Sequence, residues 1–208
     1  MRLALPALGT RIDPATLHGP GDGRLWLEIG FGSGEHLAAQ AAAHPDVLHL
    51  GVEPYVNGVA ALLTEIDRQE LQNVRVVVDD ARLLLRALPD ACLDRVAVLF
   101  PDPWPKTRHH KRRIVDAWSL GEVARLLRVG GTLRLATDHD GYVGWMLEAA
   151  ATESRLRWTA ERPDDWRVRP ADWPPTRYEV KAVVAGRRPT FLAFERVAET
   201  AGACHRAS

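Results

Sequence analysis

The sequence predicts an α/β fold, a mostly parallel sheet with helices on both faces. Strand-like and helix-like segments alternate five times between residues 25 and 151, the pattern of successive βα units. The strand-like runs are almost continuously apolar, as in strands buried on both sides. A glycine-rich turn follows the first run, at the carboxyl edge of the strands where such sheets hold ligands.

Residues 1–23 are rich in Gly and Pro and read as an irregular lead-in. Leu25–Ile29 (LWLEI) is a short buried strand that runs into glycines. Glu35–Ala43 is alanine-rich and helical, and Val47–Val52 is the second strand. Tyr55–Leu71 carries apolar residues at helical spacing, and Val74–Val78 (VRVVV) is the third strand. A helix over Ala81–Leu88 and a fourth strand over Leu93–Phe100 follow. Ile114–Leu127 reads as a helix ended by Gly130-Gly131, since glycine commonly follows a helix C-terminus. Thr132–Thr137 is the fifth strand and Tyr142–Ala151 the fifth helix. Residues 156–197 break the rhythm: a segment rich in Trp and Pro leads to a closing strand, Thr190–Val197 (TFLAFERV), and residues 198–208 read as a disordered tail. No repeat or linker divides the chain, so the expectation is one domain over residues 1–208.

Of the 208 residues, 46% are hydrophobic and 26% charged, and the formal net charge is +0. No global field draws nucleic acid to the protein, so any such attraction has to come from a local cluster. Cys92 and Cys204 stand far apart and form no metal-ligand pattern, which suits two free thiols in a reducing compartment and predicts no metal. The first residues lack the apolar core and cleavage site of a signal peptide. No apolar run approaches the ~20 residues that span a bilayer. The expectation is a soluble, cytoplasmic protein without a membrane partner. Monomer and homodimer both stay open.

The turn after the first strand reads Glu28-Ile29-Gly30-Phe31-Gly32-Ser33-Gly34. Gly30, Gly32 and Gly34 let a ligand approach the main chain. The spacing is GxGxG, not the GxGxxG of dinucleotide binders. Glu28 would repel a pyrophosphate but suits the cationic methionyl group of S-adenosylmethionine, directly or through water. Glu53 ends the second strand about 20 residues on, where an acid accepts from ribose hydroxyls. After the third strand, Asp80 is placed to read an adenine amino group with the apolar Ala81 beside the ring. Asp is also a preferred N-cap, so a purely structural role competes there.

After the fourth strand comes Phe100-Pro101-Asp102-Pro103-Trp104-Pro105-Lys106. Its three prolines stiffen a loop that presents a carboxylate, Asp102, and an indole, Trp104. The next stretch, Lys106-Thr107-Arg108-His109-His110-Lys111-Arg112-Arg113, has five Lys or Arg among eight residues and no acid. Cations concentrated beside a candidate site in a neutral protein point to phosphates. Thr137-Asp138 closes the fifth strand, and Thr176-Arg177-Tyr178-Glu179 follows the Trp-rich segment; from the residues alone both read as polar loops.

Together EIGFGSG, VEPY, DDA, FPDPWPKTRHHKRR, ATDHDGY and TRYE, spread from about Leu25 to Val197, resemble the bacterial tRNA (guanine-N7-)-methyltransferase family. The long Pro- and Arg-rich string is the most specific of them. The resemblance implies a Rossmann-like class I S-adenosylmethionine-dependent methyltransferase fold with a mostly parallel seven-stranded sheet. It implies methyl transfer to N7 of guanine 46 in the tRNA variable loop, with Glu28, Glu53, Asp80 and Asp102 lining the cofactor region and Asp102 at the reacting centre. It also implies that Lys106, Asp138, Thr176, Arg177, Tyr178 and Glu179 contact substrate, and that Arg108, His109, His110, Lys111, Arg112 and Arg113 meet RNA. Members of the family often carry a longer, more basic arm before the first strand; here that region is brief and weakly charged. Three other readings compete: transfer to an exocyclic base amine, a non-catalytic RNA-binding module, and an NAD-dependent oxidoreductase. The GxGxG spacing, Glu28 and the basic loop all oppose the last.

Overall fold

The computed structural model describes residues 3, 5, 10–17 and 23–199; most of the expected tail, and Cys204 with it, lies outside them. The elements run β1 (Leu25–Ile29), α1 (Glu35–Ala43), β2 (Leu48–Val52), α2 (Val56–Arg68), β3 (Val74–Val77), α3 (Ala81–Ala87) and β4 (Leu93–Leu99). After a short 3-10 helix, Thr107–Arg112, come α4 (Ala117–Leu126), β5 (Leu127–Thr137), α5 (Asp140–Ala151), β6 (Leu156–Trp158), α6 (Asp164–Arg167), α7 (Arg177–Val184) and β7 (Thr190–Arg196). The strands form one seven-stranded sheet in the order β3-β2-β1-β4-β5-β7-β6. The pairings from β3 to β5 are all parallel, while β7 runs antiparallel to both β5 and β6. Every residue of β1 and β2 is buried, which accounts for their mostly apolar runs, interrupted by Glu28 and His49.

Two clusters flank the sheet. The larger packs Leu84, Leu85, Leu120, Val123, Leu126 and Met146 of α3 to α5 against β1, β4 and β5. The smaller joins Leu37, Ala38, Val59 and Leu62 of α1 and α2 to Val74 and Val76 of β3. Cys92 is half-buried, and burial pushes its thiol up to about 11, so it stays protonated near neutral pH and is a poor nucleophile.

Four local readings are corrected. α4 starts at Ala117 rather than Ile114, because Asp116 caps it: its carboxylate accepts from Ser119 N at 2.8 Å, and Ser119 Oγ accepts from Asp116 N at 3.0 Å. Gly130-Gly131 does not end that helix. The pair lies inside β5, where the register against β4 shifts between Leu93 and Arg95. The Thr176–Glu179 stretch is not a loop but the start of α7, with Thr176 Oγ1 accepting from Glu179 N at 3.1 Å. β6 is an unexpected edge strand; only Leu156 of its three residues is buried, too little to give a period.

Candidate active site

The strand order reverses between β1 and β4, which are neighbours in the sheet. The loops leaving β1 to β4 diverge there around a cleft of about 570 Å³, well within the size range of small-ligand pockets. Its walls include Gly30 and Gly32 after β1, Glu53 after β2, Asp80 and Ala81 after β3, and Asp102 after β4.

The glycine turn is tied to β2 and α2. Gly30 N donates to Val52 O at 2.8 Å. Glu53 is only 5% exposed, and its carboxylate accepts from Gly32 N at 3.0 Å and from Tyr55 N at 3.1 Å. Two main-chain donors fix this side chain, while the remaining lone pairs of its oxygens are available to donors in the cleft. Gly58, in the first turn of α2, lies against the glycine turn: a Cβ there would come within 2.2 Å of Gly32 O. Asp80 combines the two roles weighed for it. Its Oδ1 accepts from Arg82 N at 2.8 Å as the N-cap of α3, and its side chain stands exposed at the cleft wall.

On the β4 side, Phe100 N donates to Ala136 O at 2.8 Å and anchors the proline-rich loop to β5. Phe100 and Trp104 adopt left-handed backbone conformations, φ 51° and 42°, of the kind that cluster at functional sites. Asp102 is exposed between them. Trp104 faces the cleft with Arg112 over its ring at 4.8 Å and His109 edge-on at 5.8 Å. The opposite rim comes from far along the chain. Arg177 and Tyr178 of α7 line the cleft, and Tyr178 lies so close over Gly32 that a Cβ there would meet its Cε2 at 3.3 Å.

Several expected site residues are engaged by partners within the fold and are not among the residues that line this cleft. Glu28 is buried behind the glycine turn, where its carboxylate accepts from His36 Nδ1 at 2.6 Å, and it lines a separate cavity of about 10 Å³, room for about one water. Gly34 does not line the cleft. It packs on α2, where a Cβ would meet Leu62 Cδ1 at 2.6 Å, and its φ of +80° is one that glycine adopts freely. Asp138 accepts from Arg187 Nε at 2.6 Å, Thr176 caps α7, and Glu179 accepts from Arg169 Nε at 2.9 Å, all outside the cleft lining.

The basic stretch divides. Lys106, Arg108, Lys111 and Arg112 are exposed, and His109 and His110 half-buried, with His110 edge-on to Trp145 at 5.4 Å. Arg113 is corrected from an RNA-facing residue to a buried one, 3% exposed. Trp173 is buried against Phe191 and Arg134, whereas Trp158 is 42% exposed. Several lining residues were not singled out as site candidates in the sequence. Tyr55 and Asn57, at the start of α2, follow Glu53 without a spacing that marks them. Arg82 looks like any helix-surface arginine until its partners are known.

A glycine turn, two acids at successive strand ends and an apolar alanine make a donor and acceptor set suited to a nucleoside-bearing cofactor, and the adjoining carboxylate and indole suit a planar base. Comparisons with known proteins agree in kind. Residues 22–192 match the family described as "Putative methyltransferase". The tRNA (guanine-N(7)-)-methyltransferase of Rhodospirillum rubrum is 53% identical over 188 residues, 90% of this chain and 74% of that protein. The enzyme of the same name from Paramagnetospirillum magneticum is 47% identical over 94% of this chain and 82% of its own. Among solved structures, the 16S rRNA methyltransferase KamB superposes with a TM-score of 0.62 at 15% identity, over 88% of this chain and 92% of its own, a likeness of fold. The chain belongs to the tRNA (guanine-N7-)-methyltransferase family.

Proposed function

We propose that this protein, acting as a single domain, transfers the methyl group of S-adenosylmethionine to N7 of guanine 46 in the variable loop of tRNA. The observation that carries the reading is one cleft that joins the glycine turn, Glu53 and Asp80 to Asp102 and Trp104. Glu53 and Asp80 hold the nucleoside end of the cofactor. Tyr178, over Gly32, covers the turn that faces it. Arg108, Lys111 and Arg112, with Lys106 before them, draw the RNA backbone to the β4 side of the cleft.

S-adenosylmethionine supplies an electrophilic methyl group on a sulfonium centre. Guanine N7 already has an in-plane lone pair, so no proton has to leave before it attacks and no strong general base is needed. The protein's task is in-line placement, which alone lowers a barrier substantially. The methylated guanine is cationic, and the Asp102 carboxylate stabilises charge developing on the ring. The same carboxylate accepts from N1–H and the 2-amino group of guanine, a pattern adenine lacks. Trp104 offers the base a stacking face. Among the described residues no helix is long and apolar enough to cross a membrane, and we place the enzyme in the cytoplasm with its tRNA.

The test is transfer of labelled methyl from S-adenosylmethionine to unmodified tRNA, followed by nucleoside analysis. 7-Methylguanosine that disappears when guanine 46 is replaced supports both reaction and position. Label on an exocyclic amine, or no label at all, rejects the reading.

A further inference from the structure

Arg113 ends the basic stretch yet turns inward. Its guanidinium lies 4.8 Å from the ring centres of both Tyr142 and Trp145 on α5, and its Nε donates to the carbonyl of Pro103 at 2.9 Å. Its own main chain is fixed as well: Arg113 N donates to His110 O at 2.9 Å, and Arg113 O accepts from Arg82 Nη2 at 2.8 Å. Trp145 is held in turn, its Nε1 donating to Val115 O at 2.7 Å. Among the described residues no carboxylate pairs with Arg113.

A buried cation without a counter-charge is costly, and an apolar side chain of similar volume commonly fills such a space as well or better. Packing alone therefore does not explain an arginine here. Pro103 sits between Asp102 and Trp104. Three prolines deprive this loop of N–H donors that could stitch it internally. The left-handed conformations of Phe100 and Trp104 cost on the order of 1–3 kcal/mol each and persist only where the surroundings impose them. Phe100 N on Ala136 O holds one end of the loop, and Arg113 on Pro103 O holds the other.

We infer that Arg113 is a positioning residue for methyl transfer, fixing Pro103 so that Asp102 and Trp104 face the bound guanine. This rests on the proposed reaction. The test compares Arg113→Met, which keeps the stem and removes the donors, with Arg113→Lys and with Arg108→Gln. In Arg113→Met, kcat for tRNA methylation falls about 100-fold, the scale of a ~1 Å misplacement. KM for tRNA, its salt dependence and the Kd for S-adenosylmethionine stay within about threefold, since no phosphate contact is lost. Amide exchange at Asp102 and Trp104 quickens. Arg113→Lys, with one donor restored, recovers part of kcat. Arg108→Gln instead raises KM for tRNA and lowers its salt slope by about one.

Unchanged kcat in Arg113→Met, or a KM and salt response like that of Arg108→Gln, overturns the inference. If Arg113→Met does not fold, Arg113→Lys decides: reduced kcat with faster loop exchange supports the role, and wild-type kcat with faster exchange refutes it. A wild-type protein that leaves tRNA unmethylated strikes the proposed reaction instead, while exchange at Asp102 and Trp104 still reads whether Arg113 holds the loop.

Discussion

Asp102 stands exposed at the end of β4, between a loop anchor on β5 and a second on Arg113. Its place on a stiff loop explains why a substitution should act on chemistry more than on folding. Asp102→Ala is expected to lower kcat by roughly 100-fold or more, as loss of one preorganised electrostatic group does, while calorimetry shows much of the S-adenosylmethionine affinity retained; near-normal turnover would remove Asp102 from the reacting centre. Glu53 should behave in the opposite way. Its carboxylate is fixed by Gly32 N and Tyr55 N before any ligand arrives, so Glu53→Gln disturbs both the turn and the ligand contact. We expect cofactor affinity to fall about tenfold or more, about 1.4 kcal/mol, with tRNA binding at zero cofactor little changed. That both residues stand at the cleft was legible in the sequence, because strand-end position and residue type suffice to mark them. The contacts of Glu28, Asp138, Glu179 and Arg113 were not, since their partners His36, Arg187, Arg169 and Pro103 are brought to them by the fold.

At the scale of elements, α7 and β2 make separate predictions. Of the residues of α7, only Ala182 is buried, so little packing holds this helix and its cap matters. Thr176→Ala should cost it about 1 kcal/mol, visible as faster amide exchange across 178–184 and weaker cofactor binding through Tyr178; unchanged exchange would show that the cap contributes little. β2 carries His49, which is 1% exposed and has no partner at Nε2. Burial, with His44 nearby, pushes its pKa down to about 3. Below its ordinary value of about 6.5 the unfolded chain takes up a proton that the folded one refuses, so stability is lost as pH falls, by up to about 1.4 kcal/mol per pH unit. Denaturant unfolding at about pH 7 and about pH 5 should show this loss, and His49→Leu should lessen it, because leucine has no proton to bind. The same pair of elements shows what pattern reading reaches. The mostly apolar β2 was plain despite His49, and α1 was found at its observed bounds. α7 was missed although Thr176-Arg177-Tyr178-Glu179 is a capping-box sequence, because its many exposed valines mask any apolar stripe.

For the whole molecule, a net charge of +0 with exposed Lys106, Arg108, Lys111 and Arg112 beside the cleft implies a local attraction for RNA rather than a global one. If these four make most of the phosphate contacts, log K for tRNA should fall against log salt with a slope of about −3 to −4, and a much steeper dependence would require a second basic surface. The fold class was legible because alternation and burial are local properties of strands and helices. The order of the last two strands was not, since nothing local tells a strand which edge it joins. That order governs how the protein has to be made. β7 inserts between β5 and β6 and comes late in the chain. On the ribosome, the edge of β5 therefore waits unpaired, with Leu133 and Leu135 alongside it, until Thr190–Arg196 emerges. An open apolar edge invites pairing with other chains. Translation that stalls before residue 190 would thus leave a product prone to aggregate, with its glycine turn complete but the β5 edge still open.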